Sequence, residues 1–390
     1  IWINCLQKLM KENDIQAYII PTDDFHSSEY VGDYFKCREY MSGFTGSAGT
    51  LVVLEESAYL WTDGRYFLQA DKQLEKTGIV LMKSGQSDVP IIEEFLKREL
   101  KEGDTIGFDG RTISKNFADK LLERIKEKNI KINGTVDLVN IIWKNRPEIS
   151  KEQVWQLDIK YAGISRKEKM KKIREKMKEA GADVFIDAAL DEIAWLLNLR
   201  GNDIAYTPVF LSYMIIREDR AILCIHREVI SEKIEDELKE DGIAIAEYEE
   251  IYKLADEISD KEKVLYDSGS INYNLYNSIN KNATIINRES PIALMKAMKN
   301  PVEVENIKKA HIKDGVAMCK FIFWLKKNVP LGNVSEISAA EKLVEFRAQM
   351  DGFLDQSFAP IFGYGEHGAI IHYSATEETN VVMEDKGLCL

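Results

Sequence analysis

The feature that most constrains the fold is an internal duplication of domain size. Residues 1–70 are patterned as a helix, a short apolar strand, a glycine-rich loop, two strands around a charged turn and the start of another helix. Residues 166–226 follow the same order, from a basic amphipathic helix to two strands around the turn REDR. Aligning Gly43 with Gly201, 158 residues further on, aligns the strand–turn–strand units behind them. The sequence therefore predicts two tandem copies of one α/β domain, since a solenoid would repeat at a much shorter period.

Two joins interrupt this pattern. Residues 143–163 are polar and lack a clear period, as a linker would. At the second join, Asn300 is followed by Pro301 and, three residues after the cap, by Glu303. This combination predicts a helix start, because the cap oxygen and the glutamate satisfy backbone N–H groups that have no partner in the first turn.

These joins predict a first α/β domain at residues 1–150, its duplicate at 160–298 and a third domain beginning at 299–390. The third segment is expected to run helix, helix and then strand, with the strand pair starting in FGYGEHGAIIHYS (362–374). The last residues, GLCL, are patterned as an apolar strand without partners for its backbone. We therefore expect the third domain to be incomplete.

Composition excludes several classes of function. The 390 residues are 45% hydrophobic and 30% charged, which is typical of a soluble globular protein. The net charge of −13 argues against general affinity for nucleic acid or anionic membranes, because both require a basic surface. The five cysteines are scattered and form no C-x-x-C pair, so they are expected to be buried free thiols of a reducing cytoplasm.

Two stretches of the first repeat carry candidate binding residues. The loop SGFTGSAGT (42–50) could suggest a phosphate cradle, but an apolar strand pattern follows it where a phosphate loop needs a helix. A structural turn is the better interpretation. In WTDGRYFLQA, Arg65 follows a D-G turn and could clamp a substrate carboxylate or a partner chain, although a solvated arginine is the simpler interpretation.

Histidines provide the remaining candidates. His367 and His372 are five residues apart, so in an extended strand they would point to opposite faces and could not easily share a metal. His372 ends an apolar run and is the better catalytic candidate. His311 lies on the apolar stripe of a helix, where a core or interface role is more common than catalysis, and His26 and His226 have weaker cases still.

Four stretches together resemble a known family. They are REYMSGFTGSAGTLVVLEESAYLWTDGRYFLQA, LDEIAWLLNLRGNDIAYTPVFLSYMII, KNPVEVENIKKAHIKDGVA and FGYGEHGAIIHYSATEETN. In this order and spacing they resemble the cytosolic three-domain Xaa-Pro aminopeptidases, which are creatinase/prolidase metallopeptidases with a "pita-bread" catalytic domain. The resemblance implies two creatinase-like N-terminal α/β domains followed by the start of the pita-bread α+β domain.

The resemblance also implies the chemistry. Members remove an N-terminal residue that precedes proline, using two divalent metals, typically Mn2+, held by two aspartates, one histidine and two glutamates. His372 matches the family histidine that steadies the substrate or the tetrahedral intermediate. His367 matches no catalytic position and is expected at the surface. Arg65 lies in the N-terminal domain, which in some relatives reaches toward a neighbouring subunit's site, so the resemblance makes it a weaker candidate for substrate binding. All five metal ligands are expected beyond Leu390, which predicts that this chain alone is inactive and binds no metal pair.

Alternatives remain at this stage. Pita-bread proteins without the metal carboxylates serve as peptide- or protein-binding modules, and the retained His372 favours the enzyme. A prolidase- or creatinase-type hydrolase is disfavoured, because those relatives usually carry one N-terminal domain. The expected partners are peptides with proline in second position, with no nucleic acid and no membrane. A cytoplasmic location is expected, and a homodimer is compatible with the sequence.

Overall fold

The computed structural model describes residues 2–390, which form two compact units. The first unit contains the described residues up to Gly64 together with Ala70–Lys299. The second contains Arg65–Gln69 together with Asn300–Leu390. Within the described range, no helix combines the length and the apolar character that crossing a bilayer requires.

The first α/β repeat is built on a six-stranded sheet. Its strands are β1 (Ala17–Pro21), β2 (Thr50–Leu54), β3 (Ala58–Thr62), β4 (Ile79–Lys83), β5 (Thr105–Gly107) and β6 (Lys131–Asn133). They are ordered β4-β3-β2-β1-β5-β6. The accompanying helices are α1 (Trp2–Glu12), α2 (Cys37–Ser42), α3 (Phe67–Gln73), α4 (Ile92–Glu99), α5 (Lys115–Ile125) and α6 (Leu138–Ile142).

The second repeat has a six-stranded sheet and an additional two-stranded one. The strands are β7 (Trp155–Gln156), β8 (Val184–Asp187), β9 (Leu199–Arg200), β10 (Ser212–Arg217), β11 (Ala221–Ile225), β12 (Ile243–Ala246), β13 (Lys263–Tyr266) and β14 (Thr284–Asn287). The helices are α7 (Ile159–Ala162), α8 (Arg166–Ala180), α9 (Leu190–Leu197), α10 (Glu232–Glu240), α11 (Glu250–Asp256), α12 (Tyr273–Ser278) and α13 (Pro291–Ala297). The large sheet is ordered β12-β11-β10-β8-β13-β14, and β7 pairs with β9.

The two large sheets confirm the duplication. In each, the first strand pairs antiparallel with the second and parallel with the fifth, and the third pairs parallel with the fourth. The glycine alignment was imperfect in detail. Seven positions separate Gly43 from Thr50 at the start of β2, but eleven separate Gly201 from Ser212 at the start of β10. The loop of the second copy is longer, and the strands correspond at a slightly larger offset than the glycines.

The glycine-rich loop is structural, as predicted. Gly43 ends α2 in a left-handed conformation with φ of 73°, which glycine adopts without a steric penalty. Arg38 donates from its guanidinium to the carbonyl oxygens of Phe44 and Gly46, so the loop wraps around a buried arginine. Strand β2 follows directly, and no helix N-terminus is available there for a phosphate.

The two repeats share hydrophobic contacts within the first unit. One core cluster surrounds β8, β10 and β11 of the second repeat and also includes Phe25 and Phe35 of the first. A separate cluster, containing Ile19, Phe95 and Phe108, lies within the first repeat. Backbone hydrogen bonds from Lys115 to Ile271 (2.9 Å) and from Tyr273 to Ile113 (2.8 Å) add to the association. The repeats are therefore packed parts of one unit.

The second unit begins with the predicted helix start. Helix α14 (Pro301–Asn328) is capped by Asn300, whose side chain accepts from the Glu303 amide while the Glu303 carboxylate accepts from the Asn300 amide. Helix α15 (Glu336–Ala348) is capped by Ser335. A small core of Phe321, Val334, Ala339 and Met383 joins these helices to the C-terminal residues.

The predicted strand at 362–374 is wrong. Residues Gly365–Ala369 form a 3-10 helix, and the only ladder contact of the segment is an isolated bridge between Tyr364 and Cys389. The run GAII is apolar enough for a strand, but Gly365 adopts a left-handed φ of 59° and interrupts extended backbone. His372 therefore does not end a strand.

Candidate functional site

His372 lies in a turn and has an unusual backbone conformation. Its φ is +57°, in the left-handed region that residues with a Cβ rarely occupy. A non-glycine residue in this region costs on the order of 1 kcal/mol and commonly occurs at functional sites. The side chain is exposed to solvent. The backbone thus presents this ring at the surface of the second unit at an energetic cost.

Tyr66 contacts the His372 ring. The Tyr66 hydroxyl lies 2.9 Å from His372 Nδ1, and the two rings meet edge to face with centroids 5.7 Å apart. Tyr66 is only 2% exposed, so its hydroxyl is held in a fixed environment. Tyr66 belongs to the short segment, Arg65–Gln69, that forms part of the second unit. One nitrogen of the candidate catalytic histidine is therefore engaged by a buried phenol.

Arg65 lies beside the same tyrosine. Its guanidinium carbon is 5.1 Å from the centroid of the Tyr66 ring, within the range of a cation–π contact. The Arg65 side chain is exposed. The two residues singled out in the sequence, Arg65 and His372, thus both contact Tyr66, which sequence analysis passed over. The available signal was its position, directly after Arg65 in a motif already selected.

A buried carboxylate anchors the segment that leads to His372. Glu336, at the start of α15, has a side chain with no exposed surface. It accepts hydrogen bonds from the Tyr364 amide (2.8 Å), His367 Nδ1 (2.8 Å) and the Tyr373 hydroxyl (2.9 Å). The His367 ring also stacks on Tyr373 with centroids 4.5 Å apart. Glu336 therefore holds the chain on both sides of His372.

The expectation for His367 was wrong in part. The residue makes no contact with His372 among those described, but it is not a free surface residue, because only 16% of its side chain is exposed and it pairs with Glu336. Local sequence could not reveal this pair, since 31 positions separate the partners.

The charge of Glu336 follows from its partners. Burial raises the pKa of this carboxyl, but hydrogen bonds from Tyr364, His367 and Tyr373 lower it by more, so the pKa lies below its ordinary value of 4.5. The carboxylate therefore remains ionised at neutral pH. Charge-assisted hydrogen bonds of this kind are stronger than neutral ones, which favours a rigid segment.

The described residues do not fit a metal pair. Between residues 2 and 390, no group of three or more histidine, cysteine, aspartate or glutamate side chains is arranged to hold a metal ion. A dinuclear centre of hard cations requires several carboxylate oxygens at one place. The described residues therefore provide no such group of ligands.

The other histidines have structural surroundings. His26 is buried in the first unit, with Nδ1 2.9 Å from the Ala188 carbonyl oxygen and Nε2 2.6 Å from the Tyr248 hydroxyl. Burial lowers the pKa of His26, so its ring is neutral at physiological pH. His311 is exposed, so it does not lie in the core of the second unit, and its Nδ1 lies 2.9 Å from the Ile307 carbonyl oxygen in its own helix.

The cysteines partly follow expectation. All five are free, and Cys37 and Cys224 are buried as predicted. Cys5, Cys319 and Cys389 are exposed, which contradicts the prediction for these three. Burial raises the pKa of Cys37 and of Cys224 to about 12, so these two thiols are poor nucleophiles at neutral pH.

Two buried carboxyl groups of the first unit, those of Asp187 and Glu192, interact electrostatically. Asp187, at the end of β8, accepts from the Ala189 amide through Oδ1, while its Oδ2 has no hydrogen-bond partner among the described residues. Glu192, in α9, accepts from the Ser290 hydroxyl, and Ser290 caps α13. Burial raises the pKa of both groups, that of Glu192 to about 7, and each nearby negative charge adds to the effect.

Family models match the chain almost continuously. Residues 3–142 and 145–303 each match a creatinase/prolidase N-terminal domain, and residues 305–390 match metallopeptidase family M24. These matches, in this order, agree with the duplicated α/β domains and the following helical segment. The chain belongs to the creatinase/prolidase-type metallopeptidases of family M24.

Two relatives show which members of that family the chain resembles. The chain is 37% identical to Xaa-Pro aminopeptidase 1 of Dictyostelium discoideum over 99% of its length, and 36% identical to aminopeptidase P2 of Arabidopsis thaliana over 94%. It spans 63% and 56% of those two proteins, so roughly three-fifths of their length. The similarity therefore runs through both α/β repeats and into the helical segment that follows them.

A solved structure confirms the fold class. The X-prolyl aminopeptidase of Caenorhabditis elegans, described as a cytosolic enzyme with a di-nuclear active site, matches 95% of this chain with a TM-score of 0.89 at 32% identity. The chain covers 62% of that protein. Two creatinase-type N-terminal domains followed by the beginning of a pita-bread domain, as the sequence predicted, describe this chain.

Proposed function

We propose that the protein to which these residues belong is an Xaa-Pro aminopeptidase, a metal-dependent enzyme that removes an N-terminal residue preceding proline. The similarity to aminopeptidases of this specificity over 99% of the chain carries the proposal. The observed order of two α/β repeats and a capped helical segment supports it. The substrates are peptides with proline in second position.

In this proposal His372 acts on the substrate. An exposed imidazole with Nδ1 engaged by Tyr66 leaves Nε2 to bind an oxygen of the substrate or of the tetrahedral intermediate. Arg65, exposed beside Tyr66, binds a negatively charged group of the peptide. Two divalent metal ions, Mn2+ in our proposal, would activate the attacking water, and the residues that would hold them are not among those described here.

The proposed location rests on the same comparison, and the proposed assembly is the one that the sequence allows. We place the protein in the cytoplasm, because the C. elegans relative is described as cytosolic. A homodimer is the assembly we propose to test first. The domain boundaries of the proposal are residues 1–150 and 160–298 for the two creatinase-like domains and 299–390 for the beginning of the peptidase domain.

Peptide hydrolysis by the full-length gene product tests this function. The purified protein is stripped with a chelator, supplied with Mn2+, Mg2+ or Zn2+ and given a tripeptide with proline in second position. The matched control substrate carries alanine in place of proline, and an Xaa-Pro dipeptide distinguishes a prolidase. We expect Mn2+-restored release of the first residue from the proline tripeptide alone.

Other results assign other functions. Cleavage of the dipeptide but not the tripeptide would identify a prolidase-type enzyme. Peptide binding without hydrolysis under any metal would identify a binding module. The 390-residue chain is assayed in parallel, and we expect no hydrolysis from it, because its described residues form no metal-binding group.

A matched pair of variants tests the role of His372. In the full-length enzyme, His372→Gln is expected to lower kcat by about 100-fold, the loss typical of removing one hydrogen-bond donor that stabilises an oxyanion. His311→Gln removes a histidine that is exposed on α14 and bonds only to its own helix, so kcat should be unchanged. Equal activity of the two variants would contradict the role of His372.

A further inference from the structure

We propose that Tyr66 is a positioning residue for His372: its hydroxyl donates a hydrogen bond to Nδ1 and thereby keeps the reactive proton of the imidazole on Nε2. The inference deepens the proposed function and rests on it for the catalytic consequence. The hydrogen bond itself is a property of residues 65–69 and 300–390, which form one compact unit.

The geometry admits two directions for this bond. At 2.9 Å, either the phenol donates to an unprotonated Nδ1 or a protonated Nδ1 donates to the phenol oxygen. Neutral histidine has one N–H, so the first direction leaves the proton on Nε2 and the second removes it from there. Only the first direction makes Nε2 a donor toward a substrate oxygen.

The surroundings favour donation by the tyrosine. The Arg65 guanidinium carbon lies 5.1 Å from the Tyr66 ring centroid, and a neighbouring positive charge makes a phenol hydroxyl a stronger donor and a weaker acceptor. Tyr66 is 2% exposed, so bulk water is kept away from its hydroxyl and does not compete with His372 for the hydrogen bond. The buried phenol and the exposed imidazole therefore form a fixed donor–acceptor pair.

Two further features fix the ring as well as its tautomer. The left-handed backbone of His372 restricts the directions available to the side chain. Glu336 holds the chain before and after it through His367 and Tyr373, the immediate neighbour of His372. Because the backbone is held, two variables remain: the rotation of the His372 ring and the nitrogen that carries the proton. The Tyr66 hydrogen bond fixes both.

A purely structural tie is the alternative role for Tyr66. The hydroxyl would then join residues 65–69 to the peptidase segment without influencing the chemistry. The two roles predict different results for Tyr66→Phe, which retains the ring and removes only the hydroxyl. A tie would lower stability and leave kcat intact, whereas a positioning residue would alter the imidazole and kcat.

The first test uses the 390-residue chain, because this measurement does not require enzymatic activity. The five histidines are labelled with 15N, and the resonances of His372 are assigned by their loss in His372→Gln. At pH 8 we expect one ring nitrogen in the hydrogen-bonded acceptor state and the other protonated. Tyr66→Phe should move the two resonances toward each other as the ring redistributes between tautomers. Tyr364→Phe, which removes a hydroxyl bonded to the Lys386 carbonyl oxygen (2.7 Å), is the matched control and should leave them unchanged.

The same variants are then compared in the full-length enzyme. Tyr66→Phe is expected to lower kcat about 10-fold with KM within twofold, as the loss of one net hydrogen bond predicts, and Tyr364→Phe should retain kcat. Unchanged His372 resonances in Tyr66→Phe, or reduced stability with full kcat, would overturn the inference. If the full-length protein hydrolyses no Xaa-Pro peptide, the proposed function fails, and the resonances still decide whether Tyr66 sets the tautomer.

Discussion

We predict that the Glu192 carboxyl lowers the free energy of unfolding of the protein as pH rises. Its pKa is raised from the ordinary 4.5 to about 7, chiefly by burial, and its side chain is only 7% exposed. Between these two values the folded protein holds one more proton than the unfolded chain, so the free energy of unfolding decreases with pH. Each tenfold change in proton affinity is worth about 1.4 kcal/mol, so a rise from 4.5 to about 7 amounts to ~3 kcal/mol above pH 7.

The substitution Glu192→Gln removes this penalty. The amide oxygen can still accept from the Ser290 hydroxyl, so the contact to the cap of α13 is retained. We expect the variant to exceed the parent by ~3 kcal/mol in free energy of unfolding at pH 8, and by less than about 1 kcal/mol at pH 5, where the parent carboxyl is protonated. The negative charges of Asp267 and Glu289 strengthen the effect, because they also disfavour the ionised form of Glu192.

Urea unfolding at pH 5 and pH 8 measures this difference. The midpoint concentration and the slope are compared between parent and variant, with unchanged slopes as the condition for reading a change of stability. The control is Glu218→Gln, an exposed glutamate in the turn between β10 and β11, which should change stability by under 0.5 kcal/mol at both values. A Glu192→Gln variant that is no more stable at pH 8 than the parent would refute the reasoning.

Two further predictions concern the second unit. Glu336→Gln should destabilise it by about 1–3 kcal/mol, because a charged acceptor of three hydrogen bonds is lost. The pKa of Glu336 is depressed, so the difference in stability between variant and parent should be present above about pH 4.5 and vanish as the pH falls below that value. Thermal unfolding measures this difference. Asn300→Ala should cost about 1 kcal/mol by removing the cap of α14, whereas Lys308→Ala, at an exposed position within that helix, should not destabilise it in the same unfolding measurement.

Sequence patterning predicted the elements that local forces determine. The duplicated sheets were recognisable because strands such as β8 and β10 are short apolar runs between turns, and the same order occurs twice. The start of α14 was predictable to the residue, because Asn300, Pro301 and Glu303 satisfy the first turn locally. These features need no knowledge of distant contacts.

The candidate site depended on distant contacts and was only partly predictable. His372 was selected for its residue type and its family resemblance, but the strand assigned to it was wrong, because Gly365 before the apolar run and His372 after it both have left-handed φ values. Tyr66 lies 306 positions from His372, and no periodicity relates the two. The Glu336–His367 pair was missed for the same reason, since side-chain pairing across 31 positions is a property of the packed fold.

The contribution of Phe25 and Phe35 to the core of the second repeat has a consequence for cooperativity. Both rings are at most 4% exposed and lie in a cluster built mainly by the other copy. Separating the copies at residues 143–163 would bare these two aromatic rings, each of which contributes about 1.5–3 kcal/mol when buried. The two halves are therefore mutually dependent. Calorimetry of residues 2–299 should show them melting in a single transition, and neither half should be stable when expressed alone.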